Sequence, residues 1–297
     1  MTNTDHAAAW HRFWNGQPRG GGASGCLPAR WAPIDAAQAK AWAQFAEQLP
    51  TGARVLDLAT GDGRVLAMLR RGRPDIEGVG VDFAPRLPAP PPGVALHGGV
   101  RMEELPFGDD SFTAVTSQFG FEYGNVAATA VEIARVVRSD GLIGLLVHRG
   151  DGPILAHNLA RSEQIDFALS GPVIEQADLS PDRYEATLRN CTDWVRAAVE
   201  RFGEGGVAWE IAEAFRRSIL IVPDLGADQA GIALSRISEE ATGERARIAS
   251  LAAACVAADD REGLHAAFEA AHLELVSRTS VTAEEKAFAD MLILRPR

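Results

Sequence analysis

The sequence predicts a doubly wound α/β domain of seven strands, with helices before the sheet and a helical insertion between its fifth and sixth strands. Three observations predict it. Short apolar runs alternate with helical periodicity from Arg54 to about residue 150. A glycine turn joins the first of these runs to its helix. Two further runs, separated by a few polar residues, return at the end of the chain after a long helical stretch.

The elements follow in order. Residues 5–14 are helix-compatible and carry Trp10, His11, Phe13 and Trp14, and the glycine-rich run from Gly20 to Gly25 then reads as a loop. From about Asp35 to Gln48, Ala36, Ala39, Trp42 and Phe45 recur about a turn apart, and Leu49-Pro50 ends that helix. Residues 1–50 are thus a helical layer, expected either to complete the core or to cover a ligand. Arg54–Leu58 is a buried strand, followed by a helix over about Arg64–Arg71 and a second strand over Gly78–Asp82. Val94–His97 and Phe112–Ser117 are the third and fourth strands, a helix spans about Asn125–Val137, and Leu142–Val147 is the fifth strand. From Pro153 to Ala258 the periodicity is helical. Tyr184, Leu188, Cys191, Trp194, Val195 and Ala198 form one apolar stripe, and Trp209, Ile211, Ala212, Phe215 and Ile219 another, both expected to pack helix on helix. Residues 151–262 are accordingly an insertion serving as a lid or as a homodimer element. A helix near Gly263–Ala271 precedes strands Leu273–Val281 and Ala287–Leu294, an antiparallel pair that returns the chain to the sheet domain of residues 51–150 and 263–297.

Composition excludes several functions. A formal charge of −11 argues against a nucleic-acid backbone as partner. No run approaches the roughly 18 apolar residues of a membrane span. The N-terminus lacks a signal-peptide pattern, so a cytoplasmic location is expected. Cys26, Cys191 and Cys255 form neither a Cys-x-x-Cys pair nor a metal cluster with histidine, so no metal is expected.

Val55-Leu56-Asp57-Leu58-Ala59-Thr60-Gly61-Asp62-Gly63 carries the chemistry. Gly61 and Gly63 let the backbone approach a ligand, and the next helix offers unpaired N–H groups to an anion. Asp57 can accept from an ammonium group, and Asp82, ending the second strand, suits the two hydroxyls of a ribose. Dinucleotides and S-adenosylmethionine both fit such a set. The dinucleotide fingerprint wants a third glycine where Leu66 stands, which favours S-adenosylmethionine.

The same residues resemble the class I S-adenosylmethionine-dependent methyltransferases. Asp57–Gly63 is similar to their D-x-G-x-G-x-G motif with Ala59 in place of the first glycine, and Gly80-Val81-Asp82-Phe83 to their second motif. Glu103-Glu104-Leu105-Pro106-Phe107 and Asp109-Asp110-Ser111-Phe112 resemble the stretch before their fourth strand, and Arg135–Gly141 the turn before the fifth. The resemblance implies a Rossmann-like sheet whose sixth and seventh strands are antiparallel. It also implies that Asp82 holds the ribose and Phe83 lies against adenine. Arg101 stands where relatives often place an aspartate for the adenine amino group, so backbone groups around Met102, or its side chain, are expected there instead.

Methyl transfer needs chiefly an in-line nucleophile held close to the methyl carbon. The carboxyl ends of the fourth and fifth strands open onto such a site. Ser117 and Gln118 are therefore expected on the cofactor side, and Phe119, Glu122 and Tyr123, with Trp14 from the N-terminal layer, on the acceptor side. His148 is the candidate base, since a histidine titrates near neutrality. The absence of an N-P-P-Y or D-P-P-Y tetrad favours a small-molecule acceptor. A non-catalytic S-adenosylmethionine-binding protein and another transferase on the same fold are the rival readings.

Overall fold

The computed structural model describes residues 31–171 and 179–297. Residues 1–30 of the expected N-terminal layer, with Trp10, His11, Phe13 and Trp14, lie outside the described residues. Helix α1 (Ala32–Ala46) opens three residues before Asp35, because Pro33 fits the first helical turn, where its missing N–H is no loss. The chain then runs β1 (Arg54–Leu58), α2 (Arg64–Gly72), β2 (Glu77–Asp82), β3 (Val94–Gly98) and β4 (Phe112–Gln118). A single 3₁₀ turn, Phe121–Tyr123, leads to α3 (Val126–Val136) and β5 (Val137–His148). Helices α4 (Pro153–Leu169), α5 (Tyr184–Phe202), α6 (Val207–Leu220), α7 (Val222–Leu225), α8 (Ala227–Asp259) and α9 (Arg261–Ala270) follow. Strands β6 (Leu273–Ala283) and β7 (Lys286–Pro296) end the chain.

The seven strands form one sheet in the order β3-β2-β1-β4-β5-β7-β6. Strands β1 to β5 are parallel, and β7 runs antiparallel to both β5 and β6. The strand order reverses between β1 and β4. Loops leaving their carboxyl ends turn to opposite faces there, which opens a crevice for a ligand. Apolar clusters cover both faces: Trp42, Phe45, Leu66, Leu69 and Phe288 belong to one, and Leu56, Phe112, Phe121, Ile133 and Phe268 to the other. Each such side chain contributes about 1.5–3 kcal/mol by leaving water.

Contacts divide the chain into two compact units, the residues up to Leu155 with Ser250–Arg297, and Ala156–Ala249. The first holds the sheet. The described part of the second is helical. Its core contains Cys191, Trp194 and Ala198 of α5 and Ala212, Phe215 and Ile219 of α6, with Leu188, Val195, Trp209 and Ile211 packed against it. The two apolar stripes are therefore helix–helix core. No helix among the described residues is long and apolar enough to cross a membrane.

Two local differences from the sequence reading have clear causes. Residues 137–141, expected as a turn before the fifth strand, already belong to β5. The register with β4 steps from Phe112↔Val137 to Ala114↔Leu142, so the four residues 138–141 of β5 bulge opposite the single Thr113 of β4. The connection between β6 and β7 is tighter than four residues. Glu284 and Glu285 alone make the turn, at φ 49° and 66°, and two left-handed residues match the twist of the flanking strands.

A buried ion network ties β5, β6 and β7 together. Asp290 of β7, 1% exposed, accepts from Arg149 at 2.8 Å, from Arg278 at 2.6 Å and from the Ser280 hydroxyl at 2.9 Å. Arg149 reaches on to Asp151 at 2.8 Å. Burial pushes the Asp290 carboxyl up, but the two guanidiniums and the hydroxyl outweigh it and hold the group below the usual carboxylate range.

Candidate functional site

The glycine loop stands at the carboxyl end of β1, beside the reversal of strand order. Asp57 is buried on that strand, and one of its oxygens accepts from the Thr116 hydroxyl at 2.8 Å. Its other oxygen, Oδ2, and the hydroxyl of Thr60 are buried without a close hydrogen bond among the described residues, although the Thr60 hydroxyl is near enough to help hold the carboxyl down. Burial pushes the Asp57 carboxyl up to about 7. A buried carboxyl with a spare acceptor is suited to a cationic ligand group.

Ala59 occupies the place of the motif's first glycine and keeps the left-handed conformation a glycine would take, at φ 53°. Its methyl group faces Gly120 in the loop after β4, where any side chain would collide with it. The two loops therefore meet through an alanine and a glycine. A left-handed alanine costs roughly 1–2 kcal/mol. Ala59→Gly should accordingly stabilise the protein by about 0.5–1 kcal/mol after the glycine's own entropy is counted. A raised urea midpoint at constant slope is the expected result, and an unchanged or lowered one would speak against strain at this position.

Asp82 ends β2. One oxygen accepts from the Gly61 N–H and the other from the Ala84 N–H, each at 2.9 Å. The carboxylate thus pins the glycine loop to the loop after β2, and each oxygen retains a lone pair for a further donor. Phe83 next to it is 38% exposed, with the Arg101 guanidinium 5.5 Å above its ring. Arg101 also pairs with Glu103 at 3.3 Å, and Met102 is half-buried beside it. Gly61 and Gly63 are both left-handed, at φ 55° and 77°.

The ends of β4 and β5 bring the acceptor-side candidates together. The Ser117 hydroxyl is engaged within the fold, donating to the Leu58 carbonyl at 3.0 Å and accepting from the Phe121 N–H at 3.1 Å. Gln118 accepts from the Trp42 indole at 2.7 Å. Phe119 is left-handed at φ 55°, and its ring stacks on His148 with centroids 4.1 Å apart. Tyr123 meets the same imidazole edge-on at 5.9 Å. Glu122 is buried. Its Oε1 accepts from the His148 main-chain N–H at 2.9 Å and lies 2.8 Å from His148 Nδ1. Helix α3 is capped instead by Asn125, whose side chain accepts from the Ala128 N–H at 3.1 Å. His148 itself is only 5% exposed. A carboxylate on Nδ1 assigns the proton to that nitrogen and leaves Nε2 as the basic atom. Trp14 lies outside the described residues.

The pairing of Glu122 with His148 is not visible in sequence, because the residues sit on different strand ends. Neither is the role of Gln38 on the otherwise apolar buried face of α1, where it lies beside Trp42 and offers its carbonyl to the Gln118 amide at 3.4 Å. The spacing of Gln38, Trp42 and Phe45, by four and then three residues, is the signal that marks one helix face. The two described cysteines, Cys191 and Cys255, are buried, and burial pushes their thiols up to about 11 and about 12. Neither is a nucleophile at neutral pH. Among the described residues no three His, Cys, Asp or Glu side chains group as a metal site.

Residues 56–145 match the family model described as "Methyltransferase domain". A demethylmenaquinone methyltransferase of Thermus thermophilus is 37% identical over 101 residues, which cover 31% of this chain and 46% of that protein. One from Roseiflexus castenholzii is 39% identical over 115 residues, covering 36% and 48%. The chain thus spans about half the length of the curated relatives it matches. Among solved structures, the YcgJ protein of Bacillus subtilis aligns over 88% of this chain and 98% of its own. Its identity is 16% and its TM-score 0.36, too loose a superposition to add to the argument.

Proposed function

From the premise that the core is that of a class I S-adenosylmethionine-dependent methyltransferase, we propose that this chain transfers a methyl group to a small-molecule acceptor, with His148 as general base. The observation that carries the proposal is the Glu122–His148 pair at the ends of β4 and β5, beside the strand reversal that holds the glycine loop. Bound S-adenosylmethionine supplies an electrophilic methyl group on a sulfonium centre. Asp82 accepts from the ribose hydroxyls, Phe83 and Met102 flank the adenine, Gly61 and Gly63 give the nucleoside room, and Asp57 Oδ2 accepts from the ammonium group. One oxygen of Glu122 holds both the main-chain N–H and Nδ1 of His148, so Nε2 can take a proton from the acceptor as it attacks. Phe119 and Tyr123 hold the ring in place and provide an apolar wall for a planar acceptor.

The negative net charge supports a small acceptor over a nucleic acid. The names of the two bacterial relatives support the same class. Removal of a proton implies an acceptor that carries one on the attacking atom, such as a hydroxyl.

Two measurements test the cofactor part. Asp82→Ala removes the shared acceptor and should weaken S-adenosylhomocysteine binding by about 1.5–3 kcal/mol in calorimetry. Unchanged affinity in a folded variant would remove Asp82 from the ribose site. The second concerns protons. The free Asp57 carboxyl holds its proton up to about pH 7, and an ammonium beside it favours the charged form. Binding should therefore release a proton below that pH, and affinity should rise as pH increases through it. Titrations at pH 6 in buffers of different ionisation enthalpy report the release. Identical heats in all of them would show that Asp57 does not meet the ammonium.

A further inference from the structure

Helix α1 carries two polar side chains that the glycine-loop motifs do not explain. Gln38 is fully buried, yet its amide nitrogen has no hydrogen-bond partner among the described residues. One turn earlier, Asp35 has a buried oxygen that is likewise without one. An unmet buried amide donor is costly, so two neighbouring unmet groups call for a ligand that satisfies both. Their place is set by neighbours. Gln38 accepts from the Gln118 amide, at the carboxyl end of β4, and Gln118 accepts from Trp42. Strand β4 pairs with β1 at Asp57↔Thr116 and Leu58↔Ser117, so Gln118 lies beside the start of the glycine loop. Asp35 also feels the charge of Arg64, the first residue of α2 after that loop.

One unmatched donor and one unmatched acceptor, three residues apart on a helix, are complementary to a zwitterion. We propose that Gln38 and Asp35 bind the amino-acid end of the nucleoside, Gln38 Nε2 donating to its carboxylate and Asp35 Oδ1 accepting from its ammonium. The ammonium has three N–H donors, so Asp35 shares it with Asp57. This inference rests on the S-adenosylmethionine reading and adds α1 to the residues that hold the cofactor. It makes the helix before the sheet a device that distinguishes nucleosides with an amino-acid tail from those without.

The test compares two thioether nucleosides by calorimetry on the full chain. S-adenosylhomocysteine has the amino-acid tail, and 5′-methylthioadenosine lacks it. Gln38→Met keeps the side-chain volume and removes the donor. It should lower affinity for S-adenosylhomocysteine about tenfold or more while leaving methylthioadenosine within about twofold. Asp35→Asn, at a less buried position, should show the same selective loss. An equal loss for both nucleosides would make α1 a packing element and overturn the assignment, as would no loss for either. Wild-type protein that binds neither nucleoside would overturn the cofactor reading itself, a result distinct from these.

Discussion

Replacing His148 by asparagine should lower the rate of methyl transfer by about 10²–10⁴-fold while leaving affinity for S-adenosylhomocysteine within about twofold. Asparagine keeps a donor near the position of Nδ1, so Glu122 retains its partner and the buried carboxylate is not abandoned. What is lost is Nε2, the imidazole atom assigned to take the proton from the acceptor. The effect should fall on kcat for whichever acceptor the wild-type protein methylates, since the nucleoside sites at Asp57 and Asp82 are untouched. Glu122→Gln should give a smaller loss, because a glutamine no longer holds the imidazole in one tautomer. Wild-type turnover in folded His148→Asn would reduce the histidine to a strand-end packing group. The remaining account would then be catalysis by positioning alone.

Asp290→Ala should destabilise the protein by about 3–5 kcal/mol, the cost of taking a buried acceptor from two part-buried guanidiniums and a hydroxyl. Arg149 keeps Asp151, but Arg278 loses its carboxylate partner in the network. For a protein of this size the loss should lower the melting temperature by about 10 °C. The pH dependence has a definite sign. The Asp290 carboxyl sits below its usual range in the folded protein. Its contribution is therefore fully present above the unfolded value and is lost as pH falls through the folded one. The gap between wild type and variant should shrink on acidification below about pH 4. A gap that is small at pH 7, or that grows in acid, would contradict the network's role.

The two predictions differ in how far the sequence leads to them. The run from Val55 to Asp82 is legible because a strand, a glycine turn, a helix and a second strand ending in an acid are all local signals. The antiparallel closing strands are legible for the same reason, through two runs joined by a short polar connection. His148 is legible only as a strand-end histidine. Its partner lies 26 residues away, and nothing local says that the turn after β4 aims Glu122 at β5 rather than at the cap of α3. Asp290 is farther from reach still. Of its two arginines, Arg149 follows β5 and Arg278 stands on β6, and their meeting depends on the register of β7 between those strands. Gln38 is hidden differently, because a glutamine on an apolar helix face carries no motif and gains meaning only from its unmatched amide. The missing first glycine at Ala59 marks an irregularity in sequence, but its left-handed backbone and its contact with Gly120 come from tertiary packing.

A crystal structure of the full chain with S-adenosylhomocysteine tests the central claim most directly. The account predicts ribose hydroxyls within hydrogen-bond distance of Asp82, the amino group on Asp57, and the sulfur facing Phe119, Tyr123 and His148. Nucleoside bound away from the glycine loop, or a sulfur turned away from His148, would contradict it.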